Sequence, residues 1–524
     1  MTANFHVFYL SLILLLSSYL SGCGAQAQVY RPISSAFSDT QDTRLGQGIA
    51  QEAKAQTASS GFYLLSNGLD AFVTRLLLME AADKTLDIQY YLFHDDDTAK
   101  LFSHYLLRAA DRGVRVRLLL DDFGHHGQEK LLAALAQHPN ISVRLFNPFS
   151  NRVMPYLDFI TRFKRVNRRM HNKSFIADNQ AAIIGGRNIG NTYFGADEHT
   201  NFTDLDVLGV GSFAPQVSGA FDLYWNHVLS SPVQQFEQGQ GATALTKARQ
   251  QLHSAMNSER SQTYLARLAS LQLVEQLKQG SLAFHWADFS LIYDTPDKIL
   301  NASDNTHGHM APALNALLSE VENEALIVSP YFIPGNNGVS RFASWIDAGA
   351  KVTILTNSLA ANDVPAVHAG YARYRKPLIT AGVELWELRP SASALKNNSY
   401  KKDLPGSSRA SLHAKTMIFD RDTLFVGSMN LDPRSINLNT EIGVLIYSKT
   451  LASTASTTFL NDLPEHAWHL DVISTKAWWG KRERLIWRDE SHQPATLISH
   501  EPEASQWRRF QVWAFGYLPI EGML

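Results

Sequence analysis

The chain has one cysteine, Cys23, among 524 residues, which excludes an intrachain disulfide and any zinc centre built on cysteine pairs. It also lacks a surplus of either charge. The 47 Lys and Arg residues stand against 49 Asp and Glu, a formal net charge of −2. Such a chain has no basic excess for displacing counterions from a polyanion, so nucleic acid is not an expected partner. His125-His126 and His307-Gly308-His309 have no Cys or carboxylate cluster at ligand spacing. They read as loop histidines, and neither metal nor cofactor is expected. Apolar residues make up 45% and charged residues 18%, enough for a sizeable core, and the length calls for two domains.

The lone cysteine follows the apolar run Val7 to Tyr19, a stretch of signal-peptide length, and closes the tetrapeptide Leu20-Ser21-Gly22-Cys23. This matches a bacterial lipobox, so residues 1–22 read as a lipoprotein signal peptide and Cys23 as the lipidated mature N-terminus. The expected location is the bacterial cell envelope, membrane-anchored and facing the periplasm. The leading MTANFH lacks the usual Lys or Arg, and the alternative is an uncleaved membrane helix. Gly24 lacks the Asp that commonly retains a lipoprotein in an inner membrane, so which membrane is left open. Residues 23–60, rich in Gln, Ala, Ser and Thr, read as a flexible tether.

What is present in excess is one motif, twice. RRMHNKSFIADNQAAIIGGRNIGN (168–191) and SLHAKTMIFDRDTLFVGSMN (411–430) align without a gap, and His171/His413, Lys173/Lys415, Asp178/Asp420, Gly185/Gly427 and Asn188/Asn430 are each 242 residues apart. Five such positions recur by chance about once in three million windows. Each copy reads as strand, turn, strand. Period-2 geometry puts His171 and Lys173 on one face, with Asn172 on the other, and likewise His413 and Lys415 around Ala414.

Breaking a phosphodiester through a covalent intermediate takes two imidazoles, one to attack phosphorus and one to protonate the leaving oxygen. Two copies supply two. Lys173, Lys415, Asn188 and Asn430 would hold the phosphoryl oxygens as their charge grows, with Gly186 and Ser428 small enough for close backbone approach. No metal ion is demanded.

The repeat extends beyond the motif. Leu69 to Ala82 and Ala99 to Arg112 have helical periodicity, and Thr85 to Phe93 and Val114 to Asp121 read as strands. Ala325 to Phe332 parallels the first strand, and Gly349 to Leu355 parallels Gly113 to Leu119 at a spacing of 236. The domains are drawn at 61–233 and 281–470, with a polar, helical connector at 234–280 and an extension at 471–524. Arg162, Lys164, Arg165, Arg168 and Arg169 read either as a solvated loop or as a patch for anionic headgroups. WRRFQVWAFGYL (507–518) reads either as an interfacial segment or as a helix packed on the core.

The duplicated His-x-Lys-x(4)-Asp-x(6)-Gly-(Gly/Ser)-x-Asn pattern resembles the phospholipase D superfamily. LTNSLAANDVPAVHAGYARYRKPLITAGVELWEL (355–388), RLFNPFS (144–150) and GGRNIGNTYFG (185–195) resemble its bacterial cardiolipin synthase C branch, over about residues 60–520. The resemblance implies an α/β fold of two tandem phospholipase D-like domains, each a mixed β-sheet flanked by helices, related by a pseudo-twofold and sharing one active site. It implies a phosphatidyltransferase that makes cardiolipin from phosphatidylglycerol through a phosphohistidine, with phosphatidylglycerol or phosphatidylethanolamine as donor. His171, Lys173, Asp178, His413, Lys415 and Asp420 form the implied catalytic set, with His171 attacking by analogy. Within it, Asp178 and Asp420 read as structural carboxylates rather than proton carriers. Asp206, with Asp204 as its alternative, and Glu441 are the carboxylates expected to orient the histidines. Phospholipid, a membrane and a small accessory protein are the implied partners. A hydrolytic phospholipase D and a catalytically silent lipid-binding lipoprotein are the rivals.

Overall fold

The computed structural model describes residues 31–524 apart from 55, 126–127, 153, 238–240, 302–304, 319–320, 391–408, 478–479 and 493. The expected signal peptide and Cys23 lie outside the described residues. Ser34–Leu524 forms one compact unit.

Its scaffold is one sheet pattern used twice. The first half supplies β1 (Ser60–Leu65), β2 (Thr85–Leu92), β3 (Arg115–Gly124), β4 (Ile141–Phe146), β5 (Ser174–Ala177), β6 (Ala181–Gly185), β7 (Thr200–Thr203), β8 (Asp206–Gly211) and β9 (Ser230–Pro232). The second supplies β10 (His285–Tyr293), β11 (Glu324–Val328), β12 (Lys351–Asn357), β13 (Glu384–Leu388), β14 (Arg409–Leu412), β15 (Thr416–Phe419), β16 (Thr423–Gly427), β17 (Ile442–Tyr447) and β18 (Ala467–Ala477). Across the first half the order is β9-β4-β3-β2-β5-β6-β8-β1, with β4, β3 and β2 parallel and the other pairings antiparallel. The second repeats it as β18-β13-β12-β11-β15-β16-β17-β10. Antiparallel pairing of β1 with β10, Ser60 opposite Ala287, makes the two halves one sheet.

Local chemistry explains the elements. The helix expected over Leu69–Ala82 runs Gly68–Ala81, started by Asn67, whose side chain accepts from Leu69 N–H at 2.8 Å. The next, Asp97–Asp111, is capped by Asp96 and ends ahead of Gly113, which takes φ +97°. β2 is buried along most of its length, as expected for a central parallel strand covered on both faces. Separate cores form around Phe72, Ile88 and Leu118 and around Ile354, Phe332 and Leu385. A third draws Ile184, Val207 and Phe213 from the first half together with Leu326, Leu424 and Val444 from the second, so the halves are held by shared apolar burial.

Each motif hairpin turns through two residues of positive φ, Asp178 and Asn179 at +51° and +53°, Asp420 and Arg421 at +50° and +55°. Asp178 accepts the backbone N–H groups of Asp83, Lys84 and Thr85 at 2.7–2.8 Å, and Asp420 those of Glu322, Asn323 and Glu324 at 2.6–3.0 Å. These two motif carboxylates therefore pin the hairpins to the entry of β2 and β11, and their bonds go to backbone rather than to His171 or His413.

Packing revises the readings of the tether and of the cation patch, and gives the connector, helical as expected, a place in the core. The segment read as a tether is docked from Ser34: Ala36 N–H donates to Asp222 at 2.9 Å, the Arg115 guanidinium lies 3.9 Å over Phe37, and Arg44–Ala53 is helical. Polar composition concealed this because the contacts are ionic and backbone-mediated. The connector forms helices Ala242–Met256, Glu259–Ala269 and Gln272–Lys278, which place Leu252, Tyr264 and Leu268 in the first core. Of the five cations before His171, Arg168 and Arg169 are buried: Arg169 pairs with Asp121 at 2.7 Å, and Arg168 donates to the carbonyls of Lys298 and Ile299. Arg162 and Lys164 stay exposed.

Candidate active site

The two histidines enter from the start of each motif, just ahead of β5 and β15 rather than inside a strand. They are aimed by equivalent devices. Asp121, late in β3, accepts Met170 N–H at 2.8 Å, and Asn357, at the end of β12, accepts Leu412 N–H at 2.9 Å. Met170 then bridges to Thr440 in parallel, and Leu412 to Thr203 through the two-stranded β7–β14 sheet. His171 N–H donates to Thr440 O at 2.9 Å and His413 N–H to Thr203 O at 2.8 Å.

This crossing sets the chemistry, because the residue after each acceptor is a carboxylate. Glu441 Oε2 lies 2.8 Å from His171 Nδ1, and Asp204 Oδ2 lies 2.7 Å from His413 Nδ1. Each histidine thus takes its carboxylate from the opposite half. A carboxylate on Nδ1–H selects the tautomer whose lone pair is on Nε2, the nitrogen left for phosphorus or for an oxygen's proton.

Asp206, expected at a histidine, does not reach one. It is fully buried against Arg75 at 2.8 Å and Arg187 at 3.4 Å. Strand register gives the reason: Gly185 pairs with Asp206 and Gly427 with Gly443, which makes Asp204, two residues earlier, the counterpart of Glu441.

Gly186 and Ser428, expected at substrate, serve these carboxylates. A Cβ at Gly186 would fall 2.2 Å from Asp204 Oδ1, so the missing side chain is the space in which that carboxylate sits. Ser428 Oγ donates to Glu441 Oε2 at 2.5 Å and accepts Ile442 N–H at 3.0 Å.

Lys173 and Lys415 are buried, and each ammonium donates to the carbonyl of its own histidine, Lys173 at 2.6 Å. Asn188 spends its amide on Tyr193 Oη at 2.9 Å and accepts Leu92 N–H at 3.1 Å. Asn430 is buried with Oδ1 unmatched by a donor. Two tyrosines that the motif did not point to complete the pseudo-symmetry, Tyr91 edge-on to His171 with ring centres 5.1 Å apart and Tyr193 edge-on to His413 at 5.2 Å. Tyr331 donates to Asp363 at 2.8 Å.

Burial and the two lysines drive the pKa of His171 well down, and burial with Lys415 also lowers that of His413. Lys173 acts on His413 and Lys415 on His171, so the two motifs share one electrostatic site. A lowered pKa favours the neutral imidazole, the form that can serve as nucleophile or base. Burial brings Lys173 to about 7 and Lys415 to about 8, and raises Glu441 to about 7. For Asp204, burial would raise the carboxyl, but His413, Lys415 and Arg187 outweigh it and hold it near 2. An anionic phosphodiester entering this field is attracted by the lysines and returns proton affinity to the imidazole that must act as acid.

A pH dependence follows. The lysines carry charge below their lowered pKa values and lose it as pH rises. We expect kcat/KM for a soluble short-chain phosphodiester to fall as pH rises through about 7 to 8, far below the ~10.4 of an ordinary lysine. A pH–rate profile flat to pH 10 would contradict a role for either ammonium in receiving the anion.

A mostly apolar cavity of about 310 Å³ borders Leu326, Leu355, Leu412, Ala414 and Phe459. Leu412 and Ala414, on either side of His413, line it, as does Asp204, the carboxylate on His413. Among the described residues no group of three or more His, Cys, Asp or Glu side chains is placed to hold a metal ion.

Comparison with known proteins finds the same duplication. The sequence profile described as "Cardiolipin synthase, PLD-like domain" matches residues 76–225 and again 314–463. The chain belongs to the cardiolipin synthase family of phospholipase D-like enzymes.

Within the family, it is 40% identical over 484 residues to cardiolipin synthase C of Escherichia coli K12, covering 92% of this chain and 100% of that one. It is 24% identical over 408 residues to a cardiolipin synthase of Oceanobacillus iheyensis, covering 78% and 69%. A phosphatidylserine synthase crystal structure from Haemophilus influenzae Rd KW20 shares the fold with a TM-score of 0.52 at 15% identity, over 81% of this chain and 91% of that one. Two tandem phospholipase D-like domains in one mixed α/β sheet are thus the architecture of this chain.

Proposed function

We propose that the chain is a phosphatidyltransferase of the cardiolipin synthase type, acting on phospholipids and passing a phosphatidyl group to phosphatidylglycerol through a phosphohistidine. The observation that carries the reading is the reciprocal pairing of two imidazoles with two carboxylates in one field of two lysines. One imidazole without the other would offer a nucleophile but no acid.

His171 Nε2 attacks phosphorus, forming an N–P bond as the P–O bond to the donor's alcohol breaks, and His413 gives that oxygen its proton. His413 then takes the proton of a glycerol hydroxyl of phosphatidylglycerol, whose oxygen attacks phosphorus as the N–P bond breaks, yielding cardiolipin. Glu441 steadies His171 as it gains positive character, and Asp204 steadies the protonated His413. Lys173, Lys415 and Asn430 receive the phosphoryl oxygens, and Asn188 acts through Tyr193. The donor is phosphatidylglycerol or phosphatidylethanolamine. The setting of this reading is the cell-envelope membrane, with Cys23 as lipid anchor and an accessory protein as an optional partner.

A phosphohistidine keeps no memory of the group that left, so acceptors compete for it. Water at ~55 M would prevail in an open site, and a transferase must favour the lipid hydroxyl by position. Purified protein in phosphatidylglycerol vesicles is expected to form more cardiolipin than phosphatidic acid, and phosphatidyl alcohol when a short alcohol is added. Phosphatidic acid as sole product across lipid compositions would make the protein a hydrolase. Lipid binding without turnover would make it a silent lipoprotein.

A further inference from the structure

The helix Gln506–Phe515 lies on the second half with none of its residues buried. Trp507, Phe510, Trp513 and Tyr517 are 65%, 51%, 60% and 74% exposed, and they stand in one row, successive ring centres 5.5, 5.8 and 5.2 Å apart. Four large aromatic rings in continuous exposure are too much apolar surface for water alone. The underside of the helix is fastened by Arg508, whose guanidinium donates to Ala360 O at 2.9 Å and Asn362 O at 2.7 Å. That loop follows β12 and is bonded to the strand leading to His413, Ser411 Oγ donating to Ala361 O at 2.9 Å.

The first half carries exposed apolar side chains after the counterpart strand, over a buried Phe149. Phe123, late in β3, stacks on Tyr91 at 6.2 Å and neighbours Phe149 at 6.3 Å, and Phe149 meets Phe159 at 5.9 Å. Beyond it Met154 and Ile160 are 55% and 80% exposed, beside the exposed cations Arg162 and Lys164. β3 and β12 are counterparts, and each braces the segment that leads to a histidine, Asp121 accepting Met170 N–H and Asn357 accepting Leu412 N–H, so the two surfaces follow equivalent strands of the two halves.

We propose that these surfaces, the 507–517 aromatic row above all, are a membrane-docking rim that seats the mouth of the site on an anionic phospholipid bilayer without help from the N-terminus. The proposal rests on the phospholipid reading above. Tryptophan and tyrosine rings suit the headgroup boundary, where one edge is apolar and the other wet. Cations beside the second patch complement anionic headgroups. A flat single row, rather than a groove, fits an extended bilayer surface better than a peptide.

The test uses the full chain and a form that begins at residue 24, which lacks both Cys23 and the apolar run 7–19 and keeps the whole compact unit Ser34–Leu524, with vesicles of phosphatidylcholine and phosphatidylglycerol. The shortened protein is expected to sediment with the vesicles, with part of its tryptophan emission quenched by lipids brominated on the acyl chains. Adding Trp507→Ser, Trp513→Ser and Tyr517→Ser together should weaken partitioning at least ten-fold and remove that quenching, while turnover of monomeric short-chain phosphatidylglycerol stays within two-fold. Ile160→Ser alone should weaken partitioning about three-fold. Unchanged partitioning of the triple variant overturns the proposal. So does a change from dimer to monomer with vesicle binding intact, which would assign the row to a second copy. Vesicle binding without cardiolipin synthesis would overturn the transferase reading and leave the rim standing.

Discussion

His171→Ala and His413→Ala each lower cardiolipin formation by about 10⁴-fold or more, the scale seen when one member of a nucleophile–base pair is removed, but they fail at different steps. With a phosphatidyl donor whose leaving group is p-nitrophenolate, departure needs no proton. His413→Ala is then expected to release one equivalent of p-nitrophenolate and accumulate an acid-labile phosphorylated protein that does not pass its group to phosphatidylglycerol. His171→Ala should release none and carry no label. The converse pattern would exchange the two roles. An absence of labelled protein in wild type and both variants, with wild type still active, would replace the covalent route by direct displacement. Pseudo-symmetry makes this experiment necessary, since each imidazole has a carboxylate on Nδ1, the lysine of its own motif beside it and a lowered pKa.

Asp204→Asn and Asp206→Ala, two residues apart, part company in the next largest effect. Asn at position 204 retains an oxygen for His413 Nδ1 but removes the charge that supports the imidazolium, and kcat is expected to fall roughly 10²- to 10⁴-fold. Asp206 has no contact with a histidine. Its removal strands Arg75, 2% exposed and bonded to it at 2.8 Å, and an uncompensated buried charge costs about 3–5 kcal/mol. Urea unfolding should therefore show the larger loss for Asp206→Ala. Turnover per folded molecule should show the larger loss for Asp204→Asn. Equal kcat values for the two variants would dismiss the assignment of Asp204 to His413.

The positions of helices and strands were readable because their causes are local. Short apolar runs marked β2 and β3, and the repeat marked β11 and β12, to within a few residues, and Asn67, Asp96 and Gly113 mark helix ends by backbone chemistry that a short window contains. The two motifs were readable for a different reason: duplication repeats one spacing, and chance does not. By contrast, the docking of residues 34–53 depends on Asp222, Arg115 and Asp83, partners far away along the chain, and polar composition resembles that of a free tether.

The carboxylates show the same boundary most sharply. That each histidine would need one followed from the chemistry of imidazole, and Glu441 lies 2.8 Å from the histidine of the opposite half, His171. Asp206 stands directly before the apolar run and Asp204 two residues earlier, and nothing local decides between them. The separation comes from register, Gly185 opposite Asp206 and Gly427 opposite Gly443, together with the β7–β14 pairing that carries Asp204 across to the other half. The sequence by itself determined the reaction class, through two copies of a histidine and a lysine at fixed spacing. Only the tertiary structure decided which carboxylate serves which imidazole, because that choice depends on hydrogen bonds between strands some 200 residues apart.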